Sequence, residues 1–438
     1  MNTLISLLAL LIITAIGMQA SFFGKTAIVK SAFTPALKFK VSSRQYFIML
    51  LLATGIIQAG GFSALLLLIW IVFLLQLLIK YGTNFSASWV FFFYSLYLSW
   101  LVISLIQTPE TEYGFRTFAK YVFPFLLVLV VSKTPMTTAF FLKGLQVSFW
   151  AAMVANLCIF ISLLLPIGGV TRVLTEPILW YIAAIIDFNP FAIAVALILY
   201  RITKKRMYLY AILICIAIPI ITSIRTGLVG IGVCLMMMSF FKYKVRALPY
   251  IVIVVGLFIS AVVYIPNVRN KMFRQSFSNS EELLKSSKNL TTDDIDANGR
   301  FAMWEWSLDQ YYKGNEIMGS GLGQLQARFY SGKHPFSQIR IVHNDYVQIL
   351  CDTGLIGLVL YLLVIISFVT HSFQMYNNTQ NNFAARTAAF IAGTSLCGIM
   401  ACAYTDNVIN YSLITLTYSY VFFGFALGLK NKKNDVLL

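Results

Sequence analysis

The 438-residue chain is 59% hydrophobic and 11% charged, with a formal net charge of +17. A soluble domain carries roughly a quarter charged and about half apolar residues, so this composition excludes a soluble globular protein. The positive charge lies in short clusters between apolar runs. It forms no basic face with interleaved aromatic residues, which argues against nucleic-acid binding.

Successive apolar runs predict an all-α, polytopic transmembrane helical bundle of about 12–13 spans. About 20 residues cross roughly 30 Å of hydrocarbon as a helix, and continuously apolar runs do not fit a β-barrel. Two runs, 45–59 and 189–201, are short for a straight crossing and are either re-entrant or lengthened by their neighbours. The predicted spans are 1–22, 45–59, 61–79, 86–106, 118–132, 143–165, 189–201, 207–223, 226–241, 248–265, 352–371, 385–404 and 411–429.

Four basic clusters predict which loops face the cytoplasm. By the positive-inside rule they are cytoplasmic, which places the C-terminus inside and Met1 outside. The six cysteines lie mainly within apolar runs and show no metal-ligand spacing, so no metal or cofactor is expected. The clusters are Lys25 to Arg44, Arg201 to Arg206, Lys242 to Arg246 and Lys430 to Lys433.

The polar segment 266–345 divides the chain into three parts. Residues 1–265 form the first ten spans, 266–345 a large outer loop, and 346–438 the last three spans with a cytoplasmic tail. Function concentrates in loops that a rigid scaffold holds. Apolar side chains recur at helical spacing over 301–313, which predicts an amphipathic helix that packs on the mouth of the bundle.

His343 is the first candidate for chemistry, because it opens a His-Asn-Asp triplet at the outer mouth of a span. An imidazole titrates near neutral pH and can accept a proton from a hydroxyl group. The alternative is that His343 only caps the helix or meets lipid headgroups. Asn344, Asp345, Tyr346 and Arg340 are candidate supporting residues.

Arg225 and Arg300 are candidate anion ligands. Arg225 interrupts two apolar runs at their outer junction, where an arginine needs a compensating partner. Arg300 precedes the predicted amphipathic helix, although a cation is disfavoured at a helix N-terminus. A guanidinium suits phosphate oxygens. The alternatives are a lipid headgroup for Arg225, and for Arg300 a salt bridge to Glu305 or to an acidic residue within 293–296.

Two other features predict no chemistry. The GSGLG run of Gly319, Gly321 and Gly323 lacks the GKS or GKT ending of a phosphate-binding P-loop, so we expect a flexible turn. His334 lies in a polar turn and His371 at the cytoplasmic end of a span. Neither is expected to converge with His343.

The sequence resembles the O-antigen ligase and Wzy-type polysaccharide polymerase superfamily. His343 and Asn344 are followed, after nine residues, by Gly354 and Gly357, which is similar to the family's His-Asn, nine-residue, Gly-x-x-Gly signature. The SIRTG stretch around Arg225 resembles its Ser-Arg-Thr-Gly element, with an extra isoleucine. The stretch from Arg300 to Trp304, followed by GSGLG, also resembles the family. Together these motifs cover roughly residues 207–371.

The resemblance implies glycan transfer from an undecaprenyl-pyrophosphate-linked donor at the periplasmic face of a bacterial inner membrane. Arg225 and Arg300 would hold the pyrophosphate, and His343 would activate the acceptor hydroxyl, without a metal. The acceptor is a second lipid-linked repeat unit in a polymerase and the lipid A core in a ligase. Partners would include membrane lipids and a chain-length regulator or flippase.

The basic clusters favour the polymerase slightly over the ligase, because they lie on the wrong side of the membrane to meet a phosphorylated lipid A core. A third hypothesis is a transporter of lipid or glycan without catalysis. Transporters tend to show internal repeats and ionisable or broken helices at the bilayer midplane. The sequence shows no repeat, and only the stretch from Asp187 to Pro190, near an outer face, resembles such a break.

Overall fold

The computed structural model describes residues 10–16, 18–19, 27–30, 38–57, 62–82, 88–164, 182–222, 224–265, 299–336 and 339–430. Helices dominate these residues, which confirms the predicted all-α fold class. One small β-sheet precedes the bundle in the described residues. Its strands β1 (Ala27–Lys30) and β2 (Lys38–Val41) pair antiparallel, with Ala27 opposite Val41.

The helices are numbered here in chain order. They are α1 (Ser43–Thr54), α2 (Ser63–Tyr81), α3 (Trp89–Gln107), α4 (Thr111–Lys133), α5 (Thr138–Leu164), α6 (Ile182–Thr203), α7 (Met207–Thr222), α8 (Arg225–Tyr243), α9 (Leu248–Tyr264), α10 (Arg300–Ser307), α11 (Gln324–Tyr330), α12 (Asp345–Asn377), α13 (Phe383–Cys402), α14 (Ser412–Thr415) and α15 (Thr417–Leu429).

Each predicted span from 45–59 onward coincides with a helix or, for 411–429, with the bent pair α14 and α15. Span 1–22 lies largely outside the described residues. Within the described part of the chain, eight helices are long and apolar enough to cross a membrane, or nine if the bent pair is one span. This number is lower than the thirteen predicted spans partly because α1 and α7, with 12 and 16 residues, are too short to be counted as spans. In addition, α8 and α9 run almost continuously and count as one.

Helix α13 lies at the centre of the bundle, in contact with α6, α8, α12 and α15. Its alanine-rich surface allows this, because small side chains let helix backbones approach closely. A Cβ atom on Gly398 would lie 2.5 Å from the Gly230 carbonyl oxygen of α8. The C-terminal end of α13 is thereby fixed against the N-terminal half of α8.

The bundle has two chemically different ends. At one end Arg44 donates to the Lys133 carbonyl, 3.1 Å away, and Arg386 donates to the Tyr376 carbonyl, 2.8 Å away. These contacts join the first turn of α1 to the end of α4, and the first turn of α13 to the end of α12. At the other end lie α10, α11 and the start of α12, and there the candidate residues meet.

Candidate active site

His343 immediately precedes the Asn344 cap of α12 and adopts a left-handed backbone conformation, with φ of +51°. Its backbone N–H donates to Asn407 Oδ1 at 2.6 Å. Its ring Nδ1 lies 3.2 Å from Asp406 Oδ1, and the side chain keeps 30% of its surface exposed. The imidazole is therefore held on one side by a carboxylate and is open to a substrate.

The capping role considered for His343 belongs to its neighbour. Asn344 is the N-cap of α12, and its side-chain oxygen accepts a hydrogen bond from the Val347 N–H at 3.0 Å. Asp345 is buried and accepts from Asn407 Nδ2 at 3.1 Å and from the Ile409 N–H at 3.0 Å. Both residues hold the helix start in place, and the His343 ring is left to face Asp406.

The turn of Thr405, Asp406 and Asn407 was missed by sequence reasoning. It follows α13 and leads into a 3₁₀ turn, Val408–Tyr411. The Asp406 side chain is only 6% exposed, and its Oδ1 also accepts the Asn407 N–H at 2.8 Å. A polar triplet between two predicted spans was the available signal, but its pairing with a histidine 63 residues earlier has no local signature.

Arg300 opens α10 and points to the same turn. Its Nη1 donates to the Thr405 carbonyl, and it interacts electrostatically with Asp406 and Asp187. Burial lowers the pKa of the Arg300 guanidinium, and the two carboxylates oppose that shift. An arginine keeps its charge at physiological pH even so. A fixed cation therefore lies beside the His343 and Asp406 pair. Of the alternative partners of Arg300, the acidic residues within 293–296 lie outside the described residues, and Glu305 lies on α10 itself.

Arg225 is the first residue of α8, and its two successors pack tightly. The Thr226 carbonyl accepts a hydrogen bond from Cys402 Sγ at 3.3 Å. A Cβ atom on Gly227 would lie 2.1 Å from Ile186 Cγ2, so only glycine allows this approach to α6. The start of α8 is thus fixed against the end of α13, just before the turn that contacts His343.

Asp187 also belongs to this end of the bundle. The residue is fully buried on α6, and it interacts electrostatically with Asp406 and with Arg300. Asp187, at the start of the stretch that resembled a transporter's broken helix, is therefore grouped with the charged residues around His343.

The amphipathic helix predicted over 301–313 is present in a shorter form. It runs as α10 to Ser307 and continues as a π-helical turn, Leu308–Tyr312. Met303 is fully buried, and Trp304 Nε1 donates to the Val342 carbonyl at 2.9 Å. The helix therefore packs directly against the residue that precedes His343.

The GSGLG turn anchors the loop to the bundle instead of forming the expected flexible turn. The backbone N–H groups of Ser320, Gly321 and Leu322 donate to carbonyl oxygens of Cys351, Asp352 and Ser104 at 2.8, 3.0 and 3.2 Å. A Cβ atom on Gly319, Gly321 or Gly323 would lie 2.4, 2.7 or 2.5 Å from a backbone atom of another element. These bonds occupy N–H groups that a phosphate cradle would need.

Gly354 and Gly357 are required for different structural reasons: a kink in α12 and close packing against Thr353. Gly354 interrupts α12 with φ of +68°, and the Leu355 N–H released by the kink donates to the Glu316 carbonyl at 2.8 Å. A Cβ atom on Gly357 would lie 2.0 Å from Thr353 Oγ1. The kink lets the loop dock on α12 ten residues after the Asn344 cap, with nine residues between, and this docking explains the spacing of the motif.

The remaining candidate residues make contacts other than with the His343 and Asp406 pair. Tyr346 donates to the Met400 carbonyl at 2.8 Å and joins α12 to α13. Arg340 is exposed and donates to the Tyr330 carbonyl at 2.9 Å. The His334 ring packs on Phe329 with centroids 4.6 Å apart, so it does not converge with His343.

A bundle of membrane-spanning helices that carries a histidine–carboxylate pair and a partly buried arginine at one end defines a polytopic membrane protein suited to group transfer. Residues 209–362 match the family model described as O-antigen ligase, and this stretch includes Arg225, Arg300, His343, Gly354 and Gly357. The match supports the predicted resemblance to this superfamily over that stretch, and with it glycan transfer in O-antigen biosynthesis. No curated protein matches the chain.

Proposed function

We propose that this protein is a Wzy-type polymerase at the periplasmic face of the bacterial inner membrane. It transfers a glycan from an undecaprenyl-pyrophosphate-linked donor to the non-reducing end of another lipid-linked repeat unit. The observation that carries the proposal is the His343 and Asp406 pair, 3.2 Å apart, with Arg300 on the adjoining carbonyl. The orientation follows from the positive-inside rule.

His343 acts as the general base. The Asp406 carboxylate accepts a hydrogen bond from protonated Nδ1, which leaves the lone pair of Nε2 for the acceptor hydroxyl. As Nε2 takes that proton, the hydroxyl oxygen bonds to the anomeric carbon of the donor. The bond from that carbon to the pyrophosphate oxygen breaks, and undecaprenyl pyrophosphate leaves with the electron pair. The carboxylate also stabilises the imidazolium that forms.

Arg300 and Arg225 stabilise the departing pyrophosphate. A guanidinium offers five N–H donors, of which Arg300 uses one on the Thr405 carbonyl. Partial burial strengthens its interaction with an anion because fewer water molecules compete. Arg225 contributes a second cation from the start of α8, a helix end that itself favours anions.

An O-antigen ligase is the second candidate, because the matching family model is described by that name. Its chemistry at His343 would be the same, and its acceptor would be the lipid A core. The two activities leave different glycans in the cell, so one assay separates them.

The proposal is tested by complementing a deletion strain with the wild-type protein, His343→Ala or His334→Ala. His334→Ala is the matched control, because it removes a histidine from the same outer loop. Loss of polymerisation leaves single repeat units on lipid A core, and loss of ligation leaves long carrier-linked chains with bare core. An unchanged glycan pattern in His343→Ala, with protein levels equal, would contradict both and favour transport.

A further inference from the structure

The backbone of His343 is held in a conformation that non-glycine residues rarely adopt. Its φ is +51°, and among non-glycine residues of the described chain only Lys204 and Lys244 also have a positive φ. Such a conformation persists where surrounding contacts hold it. For His343 the contact is one short hydrogen bond, from its N–H to Asn407 Oδ1 at 2.6 Å.

The Asn407 amide is fully buried and engaged at both ends. Its Oδ1 accepts from His343, and its Nδ2 donates to Asp345 Oδ1 at 3.1 Å and to Gln348 Oε1 at 3.0 Å. The oxygen can face only the His343 N–H, because the nitrogen is required by two acceptors. An amide is therefore required here, in one orientation.

Asp345 is itself fixed, which makes it a rigid anchor for Asn407. Its Oδ2 accepts the Ile409 N–H at 3.0 Å, and its own N–H donates to the Ala403 carbonyl at 2.9 Å. Lys120 of α4 is partly buried; it donates to Asn410 and interacts electrostatically with Asp345, which offsets part of the cost of burying that carboxyl group. A buried charge is costly without such a partner.

Asn407 also orients Asp406. Its backbone N–H donates to Asp406 Oδ1 at 2.8 Å, the same oxygen that faces His343 Nδ1 at 3.2 Å. One residue thus holds both members of the pair, through its side chain for the histidine and its main chain for the carboxylate.

We propose that Asn407 is a positioning residue of the transfer reaction, which sets the His343 ring against Asp406 without touching substrate. This inference rests on the proposed role of His343 as base. A displacement of about 1 Å at a reacting group can cost about 100-fold in rate. Loss of the Asn407 amide should accordingly lower kcat and leave the KM for the lipid-linked donor nearly unchanged.

The test is an exchange of charge between positions 345 and 407 in the full-length protein reconstituted in liposomes. Asn407→Asp alone removes the amide N–H donors to Asp345 and Gln348 and sets two acidic groups against each other, so we expect kcat to fall about 100-fold. The double variant Asp345→Asn with Asn407→Asp places an amide opposite a carboxylate again. The new carboxylate still accepts from the His343 N–H, so we expect about a tenfold or greater recovery of kcat.

Asn407→Ala serves as a second variant, with thermal unfolding and donor binding measured on every protein. A fall in kcat for Asn407→Ala at unchanged donor binding supports the proposal, as does recovery in the double variant. Wild-type kcat in Asn407→Asp would overturn it. So would a double variant that folds and binds donor but recovers no activity. His343→Gln is assayed in parallel, because turnover in that variant would overturn the proposed base and not merely Asn407.

Discussion

The imidazole of His343 and the carboxylate of Asp406 lie 3.2 Å apart, from Nδ1 to Oδ1, across 63 residues of sequence. His343 lies at the start of α12, and Asp406 lies in the turn after α13. Helices α12 and α13 pack against each other, so the start of α12 and the end of α13 lie together. The carboxylate selects the ring tautomer that leaves Nε2 basic.

The pair predicts a strong effect of Asp406→Asn. An amide of the same shape keeps the packing but lacks the charge that stabilises the imidazolium, so we expect kcat to fall by about 10²- to 10⁴-fold. Steady-state kinetics on the reconstituted protein measures this. The control is Asp309→Asn, which changes an exposed acid in the π-helical turn after α10. Retention of most of the wild-type kcat in Asp406→Asn would show that the carboxylate is not part of the reaction.

Replacement of Arg300 should weaken the hold on the pyrophosphate. A hydrogen bond to a charged group contributes about 1.5–3 kcal/mol, so Arg300→Gln should weaken donor affinity by roughly 10- to 100-fold. Equilibrium binding of the lipid-linked donor reports this directly. Arg328→Gln, an exposed arginine of α11, is the control. Equal donor affinities in the two variants would argue that Arg300 stabilises the fold and does not bind the donor.

Gly354 should tolerate no side chain, and Gly332 offers a matched comparison. Both have φ of +68°, but a Cβ atom at Gly354 would lie 2.2 Å from the Ile317 carbonyl oxygen, whereas Gly332 has no atom within 4 Å. A positive φ is unfavourable for alanine at both positions. The Gly354 backbone, with ψ of −171°, also lies in a region that essentially only glycine adopts, at a cost of about 1–3 kcal/mol. Overpacking adds about 1–3 kcal/mol to Gly354→Ala alone. Thermal unfolding in detergent compares them, and equal stabilities would contradict the close docking of the loop on α12.

Substitution of two tryptophans, Trp304 and Trp100, should distinguish an effect on stability from an effect on catalysis. Trp304 Nε1 donates to the Val342 carbonyl and Trp100 Nε1 to the Thr353 carbonyl, each at 2.9 Å. A change to phenylalanine removes about 1 kcal/mol of stability in either case. Only Trp304→Phe should also lower kcat, by about threefold to tenfold, since Val342 adjoins His343. An equal loss of kcat in Trp100→Phe would indicate a global effect.

Much of the bundle could be predicted because membrane crossing imposes a simple length rule. The helices follow the apolar runs to within a few residues over most of the chain, and Gly354 and Gly357 stand at motif spacing. The kink itself was not predicted. A positive φ within a long apolar helix depends on the loop carbonyls of Glu316 and Ile317, which reach α12 only in three dimensions.

The site was predictable in part for a similar reason. Arg300 and His343 stand out locally as polar groups at predicted outer ends, and the structure brings them to one turn. Asp406 and Asn407 carry no such signal, because an acid and an amide between two spans are ordinary loop residues. Their role comes from the packing of α12 on α13, which juxtaposes segments that the sequence keeps far apart.

The most direct test of the account measures donor binding and release of undecaprenyl pyrophosphate together, on wild-type protein and His343→Gln in liposomes. If His343 is the base, His343→Gln should bind the lipid-linked glycan within about threefold of wild type and release the carrier at least about 100-fold more slowly, in the range expected for a general base. Carrier release at the wild-type rate by His343→Gln would contradict the proposal that His343 is the base.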